Sequence, residues 1–444
     1  MFIYLNKLFL VSLAIFLAGC MDLPNGEEKV NVPVSLEKGD ASSPFVESSS
    51  SLVQAVFANP EIARSFAEIE AAKSQVLILN VNKASKIDLS GSTGLTSSNN
   101  LNAVGGAVAT IKAHRLLFDN GQTDRSILLS KLQAQSKTQA ALITIDEKLQ
   151  KILTVYIEQT TSKEVVKIID YYLDLYNEQE NLILSAVQVG VLSKSDYLEI
   201  KSLKNDTLSE RARAELSISK ADSFLEKTLG PNSDIALSDL SRRYENWQRP
   251  ILDISSSPQK NLIDLQISRF NVEIETQKER SKPISRWEAS ISSPKQNSSD
   301  TTLFAGITVS LPIKDGGDAL ARIEAFSREL VVAKLSLEVL TNSVALSKNS
   351  LVSFQNYYKK QKEILIERKA ISAERIVDLE LRLKAGRSNV NELTKEILAG
   401  ANIEISLAQL DAEYSLLSVQ TAAVVSQTCG ILMLCELINK PFLE

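Results

Sequence analysis

Apolar and polar positions follow two different periods along the chain. Over residues 62–76 the apolar side chains recur at three- and four-residue steps, which predicts an amphipathic helix. Apolar and polar residues then alternate one by one over residues 86–92 and again over 109–114. This period of two predicts two strands, each with one apolar and one polar face. Asn120 and Gly121 end the second strand as a turn, since Gly tolerates a positive φ and Asn accepts turn geometry.

A long helical pattern follows this turn. From about 122 to 188 the chain contains no proline, and Leu, Ile and Tyr recur at helical spacing. At about 1.5 Å per residue such a helix would be roughly 100 Å long. The chain turns back at Gly190 into a shorter helix, predicted at roughly 195–229. Helices of this length bury their apolar stripes only against neighbours, so we expect lateral association.

The same order of features occurs twice. The recurring landmarks are Gly121 with Gly316, Gly190 with Gly386, and Pro60 with Pro258, separated by 195, 196 and 198 residues. A tandem duplication of about 200 residues is therefore predicted, each copy consisting of a helix, two strands and a long helical hairpin. In the second copy Asp315 and Gly316 form the strand-to-helix turn. The strands are predicted at about 84–96, 104–118, 284–293 and 302–313, and the second pair of long helices at about 317–384 and 391–427.

The N-terminus indicates secretion. Lys7 precedes a short apolar run, which is too short to cross a bilayer, and a small-residue cleavage site ends at Cys20. This site resembles a bacterial lipobox, which implies a covalent lipid on Cys20; the alternative is an ordinary signal peptide with an incidental cysteine. Met21 rather than Asp follows the cysteine, which favours the outer membrane. The predicted boundaries are a signal peptide at 1–19, a lipidated tether at 20–50, repeats at 51–230 and 258–428, a linker at 231–257 and a tail at 429–444.

Composition narrows the function classes. The chain has 49 basic and 54 acidic residues, for a formal charge of −5, so nucleic acid is not an expected partner. His114 is the only histidine, which excludes a metal cluster of several histidines. The glycines after Asp315 lack the lysine of a phosphate-binding loop. We therefore expect no enzyme activity, no metal and no cofactor apart from the lipid.

Two further cysteines lie near the C-terminus. Cys429 and Cys435 could form a disulfide in an oxidising periplasm. A separation of six residues within one helix would be poor geometry for that bond. Two buried free thiols are the alternative.

With these elements in order, the chain resembles the TolC family of outer-membrane efflux and secretion channels. The resemblance runs from about Leu52 to Pro441, and its most specific pieces are the NPEI segment with the acidic, alanine-rich helix after it, the strand ending LFDNG, and the VGV and AGR helix turns. It implies a mainly α homotrimer with a small β part, in which an α-helical periplasmic barrel joins a shared twelve-stranded transmembrane β-barrel. Four strands cannot close a barrel alone, which agrees with such an oligomer.

The resemblance also implies a function and partners. The chain would be the exit duct of a tripartite efflux or type I secretion system, taking substrates from an inner-membrane pump of RND, ABC or MFS type across the periplasm and the outer membrane. A periplasmic adaptor protein would contact the tips of the helical hairpins. The matching tip positions are Val189, Gly190, Val191, Ala385, Gly386 and Arg387.

In this family acidic residues just beyond the second tip narrow the closed entrance. The matching positions, six and nine residues past the second tip glycine, hold Glu392 and Lys395. Lys395 departs from the family's acidic pair, so a mixed ring would attract cations less strongly. We predict that Glu392 lines the aperture. We also predict that Arg387 holds it shut by pairing with Asp196 or Glu199. Solvated helix charges are the alternative, since surface ion pairs contribute about 0 to 1 kcal/mol.

A structural protein is the competing class. A lipid-anchored periplasmic coiled-coil scaffold without channel activity would explain Cys20 and the long helices. It would leave the four strands and their duplication unexplained.

Overall fold

The computed structural model describes residues 50–81, 83–97, 103–230, 233–247, 253–292, 302–311 and 316–443. This part of the chain is mainly helical with one small antiparallel sheet, as the sequence predicts. The predicted signal peptide, the lipidation site Cys20, the tether up to residue 49 and the turn residue Asp315 lie outside the described residues.

The first repeat follows the predicted order of elements. Asn59 precedes α2, and its side chain accepts a hydrogen bond from the Glu61 N–H (3.0 Å), with Pro60 at the first helical position where no donor is needed. The elements are α1 (Ser51–Phe57), α2 (Pro60–Val81), β1 (Lys86–Ser97), β2 (Ala103–Phe118), α3 (Gln122–Gln188) and α4 (Lys194–Leu229).

The second repeat has the same order, preceded and followed by short helices that the prediction did not contain. The remaining elements are α5 (Ser233–Glu245), a 3₁₀ helix (Ile254–Ser256), α6 (Pro258–Lys278), β3 (Ile284–Ser292), β4 (Thr302–Ser310), α7 (Asp318–Lys384), α8 (Val390–Ala423), α9 (Thr428–Ile431) and α10 (Cys435–Leu443).

Several predicted boundaries differ from the structure. The first strand begins at Lys86 rather than near 84, and the fourth ends at Ser310 rather than near 313. Three further differences have a clear structural reason. Helix α8 ends at Ala423 rather than near 427, because the chain turns at Ser426, which has a positive φ of 51°. Helix α7 begins at Asp318, since Gly317 takes the left-handed conformation that caps it. The predicted linker at 231–257 contains α5, whose apolar residues Ala236 and Leu240 are fully buried and which packs against α1.

The four strands form one antiparallel sheet in the order β1-β2-β3-β4. Lys86 pairs with His114, Thr110 pairs with Ser292, and the ladder continues from β3 to β4. Because consecutive strands are neighbours, the two repeats contribute adjacent halves of the sheet. Strands β1 and β4 form its two outer edges.

Helix α3 is the centre of the helical part, with contacts to α2, α4, α6 and α8. The two largest clusters of buried side chains hold these helices together, and a third, small one around Leu365 and Leu410 joins α7 to α8. We call the first the collar core; it includes Leu52, Ile145, Leu149, Leu240, Val419 and Ile431. We call the second the tip core; it includes Ile169, Ile183, Ile200, Leu393, Ile397 and Ala401. Burial of each large aliphatic side chain stabilises the fold by about 1.5 to 3 kcal/mol.

Helix α7 lies at one side of this arrangement and packs only on α6 and α8 among the strong contacts of the described helices. By length and composition it could cross a membrane, with a mean hydropathy of 1.4 over 18 residues, yet that window is only 6% buried. Its exposed apolar side chains form a stripe at helical spacing. The stripe consists of Val331, Leu335, Val339 and Leu346, which are 54% to 68% exposed.

Candidate functional site

The sheet separates polar from apolar side chains onto its two faces. On the polar face Lys112 Nζ lies 2.7 Å from Glu288 Oε1, and His114 Nδ1 lies 3.4 Å from Asp88 Oδ2. The register places all four of these residues on the same side, as the alternating pattern predicts. These charges therefore face a polar space rather than a protein core.

The opposite face is apolar and open. Its residues are paired across the strands by the same register, so the apolar surface is continuous from β1 to β4. Its aliphatic members include Ile87, Leu89, Ile111, Leu303, Ile307 and Val309, which are 51% to 77% exposed. An exposed apolar surface of this extent in a single chain indicates an interface with protein or lipid.

A pair of left-handed residues joins each strand pair to its long helix. Asn120 and Gly121 have φ values of 56° and 74°, and Gly316 and Gly317 have 68° and 88°. The predicted turn residue Gly316 therefore lies in the second turn, and Gly317, where the helix was predicted to begin, belongs to that turn as well. The helices that follow the two turns begin at Gln122 and Asp318, an offset of 196 residues, which equals the offset between Gly190 and Gly386.

Hydrogen bonds fix the first of these turns. The N–H groups of Gly121 and Thr123 donate to the Asp119 carboxylate at 3.0 and 2.7 Å, and the Asn120 amide donates to the Pro283 carbonyl at 2.6 Å. Partial burial acts to raise the pKa of Asp119, but the hydrogen bonds from Thr123 and Gly121 outweigh it and the pKa is lowered. The turn thus ties β2 to the segment before β3.

Each hairpin tip is built around one glycine. Gly190 and Gly386 have φ values of 76° and 68°, which L side chains rarely adopt. At the second tip the Gly386 N–H donates to the Leu383 carbonyl (3.0 Å) and the Arg387 N–H to the Arg382 carbonyl (2.8 Å). These two bonds form a Schellman cap, which ends the helix without leaving its last carbonyls unsatisfied.

The two tips enclose a groove of about 740 Å³. The groove is lined by the last turns of α3 and α7 and by the start of α8. Its apolar lining includes Leu182, Ala186, Val189, Val191, Leu383 and Leu393. Val189 and Val191 are 74% and 68% exposed, so the first tip carries apolar side chains into solvent. Ala385, Gly386 and Arg387 at the second tip are also exposed.

No protein-family model matches the chain, and no curated protein matches it in sequence. Solved structures do match. The outer membrane protein VceC of Vibrio cholerae has a TM-score of 0.71 at 11% identity, covering 85% of this chain and 95% of that one. The CmeC outer membrane channel of Campylobacter jejuni has a TM-score of 0.69 at 12% identity, covering 86% of each chain. The open state of the MtrE outer membrane channel of Neisseria gonorrhoeae has 0.66 at 15%, covering 85% and 88%.

The chain has the same fold as these outer-membrane channel proteins. At these identities the likeness concerns the fold alone. The same fold contains the helical hairpins whose ends hold the predicted aperture residues.

Within the described chain, the residues predicted to line and close the aperture form other pairs than the predicted ones. Lys395 Nζ lies 2.7 Å from Glu199 Oε2, joining α8 to α4. Asp196 instead accepts a hydrogen bond from the Ser193 hydroxyl at 2.7 Å, at the start of α4. Within the described part of the chain neither acid pairs with Arg387, which is exposed. The predicted pairing of Arg387 with Asp196 or Glu199 is therefore not formed within one chain. Glu199 pairs with Lys395 instead, and Asp196 with Ser193.

The offset of 196 residues between the two repeats accounts for the Glu199–Lys395 ion pair, which the sequence analysis did not predict. Glu199 and Lys395 are equivalent positions of the two repeats, as are Asp196 and Glu392. The first equivalent pair carries opposite charges and meets across the α4–α8 contact. Glu392 lies exposed in the first turn of α8, where its carboxylate accepts from the Ser388 hydroxyl at 3.3 Å. A comparison of the charges at equivalent positions could have indicated this ion pair.

A buried acid holds the C-terminal segment in the collar core. The Asp146 carboxylate on α3 accepts from the Thr428 hydroxyl at 2.9 Å and from the Cys429 N–H at 3.1 Å. A disulfide joins Cys429 to Cys435, with 4.9 Å between their Cα atoms. The two cysteines lie on different short helices, α9 and α10, so the poor geometry expected of a single helix does not arise. Nothing in the sequence around Asp146 distinguished it from other helix acids.

Proposed function

We propose that the protein is an outer-membrane channel built from three copies of the chain. Each copy gives four strands to one twelve-stranded barrel, and the helices surround a periplasmic tunnel. The two-faced sheet carries this proposal, because its apolar face is exposed and its outer strands β1 and β4 have no further partner strand within the described sheet. Closure with two other copies satisfies both edges, while lipid covers the apolar face.

The helix surfaces support assembly from copies. Helices α2, α3, α6 and α7 contact one another in that sequence, so α2 and α7 are the outer members of the row. Both carry apolar side chains that the chain itself does not cover: the α7 stripe, and Leu77, Ile78 and Val81 on α2, which are 56% to 62% exposed. Packing α7 of one copy on α2 of the next would bury both surfaces.

We assign the channel the role of an exit duct for efflux or type I secretion. A duct of this kind has no energy source of its own, so an inner-membrane pump of RND, ABC or MFS type would drive the cargo. A periplasmic adaptor would bind the hairpin tips. The exposed valines Val189 and Val191 and the groove between the tips support this contact, since an apolar groove open to solvent suits a helical partner.

The proposed closed entrance lies just beyond the tips. Three copies of Glu392 would form a ring of carboxylates, and three copies of the Lys395–Glu199 pair would brace α8 against α4. Because Lys395 neutralises an acid rather than adding to the ring, the aperture would attract cations less than a double ring of acids. Arg387, which is exposed in the single chain, is left to pair with a neighbouring copy.

The lipid anchor belongs to this proposal as well. Acylation of Cys20 would attach the chain to the outer membrane, with the helices extending into the periplasm. About thirty residues separate Cys20 from α1, which would reach at most roughly 100 Å when extended. That reach allows the anchor and the barrel to lie in one membrane.

Native mass spectrometry of the acylated, detergent-solubilised protein tests the assembly. We expect three chains and three acyl groups per particle. Leu335→Glu, on the α7 stripe, should yield monomers because it places a carboxylate in the interface between copies. Lys334→Glu, one position off the stripe, is the matched control and should remain trimeric. A wild-type monomer, or a trimeric Leu335→Glu variant, would contradict the proposal and favour the scaffold.

A further inference from the structure

One charged side chain lies on the apolar face of the sheet. Arg115 pairs with Trp287 in the ladder, and both belong to the same side as Ile111 and Ile307. Every other charged residue of the described strands is on the polar face, by the register of the same ladder. Arg115 is exposed, and none of the ion pairs within the described residues includes it. A guanidinium on an otherwise apolar surface needs an anionic partner from outside the chain.

Aromatic side chains flank this arginine. Trp287 is its direct neighbour on β3, and Phe118, which is 58% exposed, follows it on β2. A bulge between Leu116 and Phe118 shifts the register, so Phe118 pairs with Ser285 and joins the apolar face. Trp and Phe rings at the rim of an apolar band mark the level where hydrocarbon meets the lipid headgroups.

The length of β2 gives the depth of Arg115. Twelve residue steps separate Ala103, at the far end of β2, from Arg115 near its helical end. At about 3.3 Å per residue this is roughly 40 Å along the strand. A strand tilt of about 40° reduces the height to roughly 30 Å, slightly more than an apolar band of about 25 Å. When the far end of β2 lies at one surface of the hydrocarbon, Arg115 therefore lies at the other, beside the headgroups.

We propose that Arg115, with Trp287 and Phe118, binds the phosphate of an anionic phospholipid at the periplasmic rim of the barrel. The proposal rests on the proposed outer-membrane function, and adds to it a lipid site that fixes the depth of the barrel. The planar guanidinium donates two parallel hydrogen bonds to phosphate oxygens, and the rings pack on the acyl chains below. Three copies would place three such sites around the barrel.

Trp287 is its own reporter for the test. The chain contains two tryptophans, and Trp247→Phe removes the other one, which packs against the collar core next to Tyr244. The acylated trimer carrying this change is reconstituted in phosphatidylethanolamine vesicles with a minor fraction of phosphatidylglycerol. In one set of vesicles the acyl chains of phosphatidylglycerol carry bromine, and in the other those of phosphatidylethanolamine. The quenching of Trp287 fluorescence is compared between the two sets.

We expect phosphatidylglycerol to be enriched about fivefold around Trp287 over its bulk fraction, given about 1 kcal/mol for one arginine near an anionic surface. Arg115→Leu should reduce the enrichment to one, and Arg115→Lys should retain part of it. Arg286→Leu is the matched control, because Arg286 lies at the same rim on the polar face, opposite Leu116. It should keep the full enrichment.

The outcomes separate the lipid site from the channel. Quenching by each brominated lipid in proportion to its bulk fraction, or an enrichment that survives Arg115→Leu, overturns the phosphate site and leaves the barrel in the membrane. The phosphate site is also overturned if Arg286→Leu removes the phosphatidylglycerol enrichment as fully as Arg115→Leu does. The positive charge of the rim in general would then explain the enrichment. If neither brominated lipid quenches Trp287, the sheet is not in lipid, and both the lipid site and the proposed outer-membrane function fail.

Discussion

Single residues set where the chain changes direction. Gly121, Gly190, Gly317 and Gly386 all have a positive φ between 68° and 88° at the ends of the long helices. Asn-Gly chemistry is local, so the first turn could be predicted from the sequence. The helix after the second turn begins one residue later than predicted, because Gly316 and Gly317 are adjacent and either glycine could cap the helix.

Gly400 on α8 packs directly against Tyr172 on α3, which leaves little room for a side chain. A Cβ at this position would lie 2.8 Å from Tyr172 Cε1. We expect Gly400→Ala to destabilise the folded state by about 1 to 3 kcal/mol, because α8 would have to move away from α3. Guanidinium unfolding measures the change. In the double variant with Tyr172→Leu the cost of the alanine should largely disappear; full additivity would show that the ring is not the obstacle.

Asp146 makes stability depend on pH. Burial raises its pKa to about 6, against hydrogen bonds from Thr428 and Cys429 that lower it. Because the folded pKa exceeds the ordinary value of 3.8, the folded state binds the proton more tightly. The free energy of unfolding should therefore fall by about 3 kcal/mol as the pH rises from about 4 to about 6.

Asp146→Asn keeps the acceptor oxygen and removes the titration. We expect urea unfolding of this variant to lose that decline with pH. Glu147→Gln alters the exposed neighbour of Asp146 and should leave the decline intact. A decline that persists unchanged in Asp146→Asn would mean that another group is responsible.

Helices and strands with long periodic patterns could be predicted closely. The predicted 122–188 is observed as Gln122–Gln188, and the predicted strand at 104–118 as Ala103–Phe118. Helix α5 was missed because its sequence is short and largely polar. Its burial depends on α1, from a distant part of the chain, and a hydrogen bond of 2.6 Å from Ser50 to Asp239 joins the two. Only tertiary contact reveals such an element.

The α4–α8 ion pair should control the entrance. Lys395→Glu places a carboxylate against Glu199, and the repulsion should separate the two helices and raise the open probability of single channels. Adding Glu199→Lys restores an ion pair with reversed charges, so this double variant should close like the wild type. A single variant that remains closed, or a double variant that stays open, would show that the pair does not hold the entrance.

The disulfide should stabilise the C-terminal segment locally. Its loop of seven residues gives about 2 kcal/mol by loop entropy. With Cys429→Ser and Cys435→Ser we expect the amides of Leu434 and Ile438 to exchange hydrogen roughly thirtyfold faster. Amides in the tip core, such as that of Ile397, serve as the internal control. Unchanged exchange at Leu434 would show that hydrogen bonds and packing alone hold the segment.

The whole molecule follows from duplication and from surfaces that one chain cannot cover. The order of elements, the four strands and the paired hairpins could be predicted because each repeat contains the same landmarks. The predicted pairing of Arg387 was wrong within one chain, since Glu199 pairs with Lys395 and Arg387 is exposed. In the proposed trimer, Arg387 would find its partner on a neighbouring copy.

Charge at the aperture should determine ion selectivity. Glu392 is exposed at the start of α8, and three copies would face one another across the entrance. Glu392→Lys should shift the reversal potential in a salt gradient toward anion selectivity. Glu413→Lys, far along the same helix, is the control and should leave the potential unchanged. An unaltered potential in Glu392→Lys would remove this residue from the aperture.

Single-channel recording in a planar bilayer tests the central claim most directly. The purified, acylated protein should give discrete current steps, and Leu335→Glu, which is expected to prevent trimer formation, should give none. Discrete openings confined to the trimer would establish a channel built from three copies. A correctly folded and acylated trimer that never conducts, with the entrance variants equally silent, would contradict the account and leave a lipid-anchored scaffold.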